Sequence, residues 1–94
     1  MPAAVFVLTM RAVAGPANAE PDGRRYDLLV FARGDDETEA QVRAGLDLER
    51  LGWTEPQTLR CGEIIEPQAL PDDFRASFRR AQEGGCAVIV YDQP

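Results

Sequence analysis

Six residues are candidates for a shared site: Arg33, Asp35, Asp36, Glu66, Tyr91 and Asp92. Each follows or closes a segment that reads as a β-strand. If those strands are parallel, their carboxyl ends share one sheet edge, which is where open α/β sheets seat ligands. A carboxylate cluster without histidine suits a hard cation such as magnesium or calcium, or an amine or basic peptide. The competing reading is structural and is the stronger one. Asp35 and Asp36 have the chemistry of helix caps, and Asp92 that of a solvated terminus.

The chain has no histidine, so the commonest general base and neutral metal ligand are missing. Its two cysteines, Cys61 and Cys86, form no Cys-x-x-Cys pair and are too few for the usual zinc sites. They read as free, buried thiols rather than as a disulfide. A cysteine nucleophile would have to rely on a carboxylate such as Glu63 as a weak base. Gly34, ahead of a helix start, could offer amides to a phosphate, but Asp35 and Asp36 beside it repel anions. Arg75, Arg79 and Arg80 make a basic patch that is more simply a solvated helix face. No cofactor is expected.

Net charge is −6 with a pI near 4.5. That sets the chain against nucleic acid and against anionic membranes, both of which call for a basic face. No apolar run approaches the length of a membrane span. Ala17-Asn18-Ala19 before Glu20 has the small-x-small form of a secretory cleavage site. However, no basic residue precedes Val5, and Arg11 interrupts the apolar stretch, so a strand in a cytoplasmic protein is the expectation. Ninety-four residues, 45% hydrophobic and 28% charged, allow a single domain over residues 1–94 with one thin core.

The elements that would position these groups are legible from periodicity. Ala3–Val13, Tyr26–Arg33, Trp53–Ile65 and Cys86–Tyr91 read as strands, the last unbroken and therefore central. Pro56 confines the third to an edge or a strand start, and Gly62 suggests a bulge in it. Ala14–Arg25 collects Gly, Pro, Asn and Asp into a long loop that Asp22-Gly23 could close as a wide hairpin. Asp36–Leu51 reads as a helix with Ala40, Ala44, Leu48 and Leu51 on one stripe, Asp36 and Glu39 at capping-box spacing, and Gly52 past its end. Val42 and Leu46 lie off that stripe, nearly opposite it. A second helix runs from Pro71 to about Glu83 on Phe74, Phe78 and Ala81.

The order ββαβαβ predicts an α+β two-layer sandwich, a mixed four-stranded sheet with two helices on one face, since right-handed crossovers running in one direction stack on one side. Splitting the third segment at Cys61-Gly62 would give a ferredoxin-like βαββαβ core with an extra N-terminal strand. Helices on one face leave the other face apolar and bare, so a homodimer packed sheet to sheet is expected. The functional expectation is a non-catalytic, self-associating protein-interaction module, with Val42 and Leu46 as interface residues. The alternatives are a small-ligand or cation sensor and a small cysteine-dependent enzyme.

Overall fold

The structure, a computed structural model, describes residues 4–18, 23–84 and 86–91. Four strands and two helices follow in the order β1 (Ala4–Ala14), β2 (Arg25–Gly34), α1 (Glu37–Arg50), β3 (Trp53–Glu63), α2 (Asp72–Gln82) and β4 (Cys86–Tyr91). A short 3₁₀ turn at Pro67–Ala69 precedes α2. The fold is α+β, built on one four-stranded antiparallel sheet in the order β3-β1-β2-β4.

The expected mixed sheet is corrected to an antiparallel one, because every adjacent pair is antiparallel. β2 and β3 do point the same way, but β1 lies between them. Only β2-α1-β3 is therefore a crossover between parallel strands, to which the handedness rule applies. The connection from β3 to β4 joins antiparallel edges at opposite sides of the sheet and is free to cross the other face. It does. α1 seats Ala40, Ala44 and Leu48 on Phe6, Leu8, Met10, Leu28, Val30 and Ala32, whereas Phe74, Phe78 and Ala81 of α2 pack with Val5, Phe31 and Ala87. Alternate residues of β1 and β2 thus serve opposite helices. The two helices lie on opposite faces, not on one, and the two-layer sandwich becomes three layers. The ferredoxin-like alternative fails because residues 53–63 form one strand.

The apolar face expected to be bare is not bare. α2 covers the end holding Val5, Phe31 and Ala87, and the remainder of that face carries half-buried Val7, Leu29 and Val13 beside an ion pair in which Arg11 Nε donates to Asp27 Oδ1 at 2.9 Å. The wholly bare apolar face from which a sheet-to-sheet dimer was expected is thus reduced to a partly covered one.

Local chemistry accounts for the element ends. Asp36 Oδ1 accepts from the Glu39 amide at 2.8 Å, and Glu39 Oε1 reaches back to the Asp35 amide at 3.1 Å, one residue before the cap. At the other end of the sheet the Tyr26 and Trp53 rings meet edge to face, centroids 5.6 Å apart, and close the α1-side core. The β1–β2 hairpin is closed by Ala14 N–H to Arg24 O at 2.8 Å and Gly23 N–H to Ala14 O at 2.9 Å. Its loop folds back on the end of α1, where Asn18 Nδ2 donates to Leu51 O and the Gly15 amide to Gly52 O. Ala19, Glu20 and Asp22 lie outside the described residues.

β3 is an edge strand, one of the two placements that Pro56 allowed. Its irregularities fall at Leu59 and at Glu55-Pro56, where Glu55 takes φ 51°, and not at Gly62, which pairs regularly with Val7. β4 is the other edge. It was expected at the centre, but the central strands are β1 and β2.

Candidate functional site

The acidic edge disperses once the strand directions are known. Arg33 and the Asp35-Asp36 pair sit at the end of β2, and Glu66 follows β3 at that same end. β4 runs the other way, so Tyr91 pairs with Asp27 at the start of β2, at the far end of the sheet. Asp92 lies outside the described residues. The grouping of Tyr91 with Asp35 and Asp36 is therefore overturned, since it rested on three parallel strands.

Two of the residues at that end have structural roles. Asp36 is occupied as the α1 cap, and Arg33 Nη1 donates to Gln82 O at 3.1 Å, satisfying a carbonyl at the end of α2. Gly34 is buried against α1: a Cβ there would stand 2.7 Å from the Ala40 amide nitrogen. Its role is to let the helix start approach the strand, and the Glu39 carboxylate fills the space an anion would take. Among the described residues no three carboxylate or thiolate groups are placed to hold one metal ion.

Both thiols sit on the α1 side of the sheet, half-buried and unpaired. Burial pushes the Cys86 thiol up to about 12, and Asp47, which accepts its proton in a hydrogen bond, adds to the rise against the opposing pull of Arg80 and Arg43. Cys61 is also raised, by burial first and then by Glu37. These are the surroundings of inert cysteines, since the thiolate is the reactive form. At pH 8 about one Cys86 in ten thousand is ionised, so alkylation is expected to run roughly a thousandfold slower in the native protein than in urea. Equal rates in the two states would contradict this burial. The same shift fixes a pH dependence. The native pKa lies above the unfolded value of 9.0, so the unfolded chain loses its proton first, and the stability this thiol contributes is intact below about pH 9 and declines between 9 and 12.

Val42 and Leu46 are exposed at 58% and 53%, on the outward side of α1. They line an open groove with Glu39, Arg43, Asp47, Arg50 and Gly84. Asp47 and Arg50 pair along its rim at 3.4 Å. A second open groove, beneath the β1–β2 loop, runs from Pro16 and Ala17 to Trp53 and Pro56. Both grooves are shallow and open to solvent.

The feature that sequence reasoning missed is the β4 edge. The two edges of this sheet differ sharply. β3 carries Pro56, two register irregularities and the charges Glu55, Arg60 and Glu63, the devices by which proteins blunt an edge. β4 reads Cys-Ala-Val-Ile-Val-Tyr, regular in pairing along its whole length, with Val90 and Tyr91 exposed at 47% and 43%. Pro56 narrowed β3 to an edge or a strand start, but β4 carries no local mark that separates an unprotected edge from a central strand.

No family model matches the chain, and neither the curated proteins nor the solved structures contain a match to it.

Proposed function

We propose that the protein is a non-catalytic interaction module that self-associates through the β4 edge. The observation that supports this reading is the contrast between the edges: one sheet margin is defended, while the other presents an unbroken apolar strand whose outer backbone edge pairs with no other strand among the described residues. Strand addition at such an edge gains ladder hydrogen bonds and buries side chains on both faces at once. Raised, unreactive thiols and capping carboxylates favour this reading over the enzyme and cation-sensor alternatives. Val42 and Leu46, on the outer face of α1, form a separate apolar ridge open to a protein partner.

Light scattering across a hundredfold concentration range tests the proposal. The wild-type chain is expected to be a dimer. Val90→Lys, which adds a charge to an exposed edge position, is expected to be a folded monomer. A wild-type monomer at every concentration would end this reading.

A further inference from the structure

We propose that the β4 edge takes a second copy of this chain in antiparallel register, with the two α2 helices docking across the dyad through Asp73, Ala76, Ser77 and Arg80. The inference rests on the edge reading above and adds the partner's identity, orientation and contacts.

The first support is position. α2 lies over β2 and β4 and reaches β1, so its axis is about half to one strand spacing inside β4. A dyad midway between two paired β4 strands then sets the two α2 axes about 10–14 Å apart, the lower end of which is helix-packing distance. By contrast α1 lies over β1, β2 and β3, farther from that edge.

The second support is which flank of α2 faces outward. Arg75 Nη2 donates to Gln68 O at 3.2 Å, so the Arg75 flank faces the connection arriving from β3. The opposite flank holds Asp73, Ser77 and Arg80, with Ala76 on the outer face. This flank therefore borders the open edge.

The third support is charge complementarity. In an antiparallel helix pair, contacts join residues whose numbers have a constant sum. Placing Asp73 opposite Arg80 of the second copy also places Ala76 opposite its Ser77, and the dyad repeats both contacts. Two ion pairs then flank a centre of small side chains, which admits close helix approach. Among the described residues neither Asp73 nor Arg80 forms an ion pair within its own chain. The two elements share this centre. From Gln82 back to the midpoint of Ala76 and Ser77 is about 8 Å at the helical rise. In an antiparallel strand pair the dyad must pass a residue that faces its own copy, and Val88 lies about 7 Å from Cys86 at the strand rise. Because α2 turns back at Glu83 and Gly84 toward β4, one axis passes close to both points.

The test uses two single variants and their mixture. Asp73→Arg puts arginine against Arg80 at both contacts, and Arg80→Asp puts aspartate against Asp73. Each alone is expected to dimerise at least about tenfold more weakly than wild type. Mixed in equal amounts they restore both pairs in a heterodimer, which light scattering and a tagged pull-down both read. Ala76→Trp, at an exposed helical position, fills the small-residue centre and is expected to weaken dimerisation by about a hundredfold without dependence on charge. If Val90→Lys abolishes the dimer while Asp73→Arg, Arg80→Asp and Ala76→Trp keep wild-type affinity, helix docking is overturned and edge pairing stands. A wild-type monomer overturns both.

Discussion

Replacing Phe31 with alanine is expected to cost about 3–5 kcal/mol, the range for a large aromatic side chain truncated inside a packed core. Phe31 is fully buried and stands at the centre of the smaller apolar cluster, with Val5, Ala81 and Ala87 around it and the Phe74 ring 5.9 Å away. That cluster is what seats α2 on its face of the sheet. The α1 side has a longer apolar surface and keeps its own buried stripe, so a cavity at Phe31 is not refilled from there. Small domains hold roughly 5–15 kcal/mol in all, so the variant should sit near the limit of folding and lose on the order of 15–30 °C in melting temperature. Urea unfolding gives the number directly. A loss below about 1 kcal/mol would mean that α2 is not seated on Phe31, and the opposite-face arrangement of the helices would have to be abandoned.

Gly52→Ala is expected to be the other severe substitution, with the opposite result at a second glycine as its control. Gly52 follows the end of α1 at φ +84°, a left-handed conformation that costs an alanine about 1–2 kcal/mol by itself. Space adds a larger penalty. A Cβ there would stand 2.2 Å from the Asn18 amide nitrogen and 2.3 Å from the Ala17 carbonyl carbon, and those are backbone atoms that cannot swing aside. The β1–β2 loop must move, which breaks the Gly15–Gly52 and Asn18–Leu51 hydrogen bonds. The total is expected to reach about 3 kcal/mol or more. Gly45 lies within α1 with nothing near its missing Cβ, so Gly45→Ala should stabilise by about 0.5–1 kcal/mol through helix propensity alone. Equal effects at the two sites in chemical denaturation would refute the packing of the loop on Gly52.

Much of the local structure was readable in advance, because local structure has local causes. Asp36 and Glu39 marked the start of α1, and the expected stripe of Ala40, Ala44, Leu48 and Leu51 holds for the first three, while Leu51, at the cap beyond the last helical residue, is exposed. Gly52 marked the stop, and Pro56 narrowed β3 to an edge or a strand start, of which the structure shows the edge. Val42 and Leu46 were correctly read as lying off the stripe, and the structure leaves both exposed. Each of these depends on a few neighbouring residues and on the period of helix or strand.

Strand direction has no such signature. The apolar runs of β1 and β2 fit a central strand in a parallel or an antiparallel sheet, and the run of β4 fits a centre or an undefended edge. The direction of β4 alone decided whether Tyr91 joins Asp35 and Asp36 or lies at the far end of the sheet beside Asp27. It also decided which face α2 covers, because only connections between parallel strands are held to one hand. The chain by itself therefore determined the elements, their caps and their buried stripes, which are short-range consequences of side-chain chemistry. Only the tertiary structure decided which residues meet and which edge stays open, because pairing joins segments far apart in sequence and several pairings satisfy the same apolar pattern.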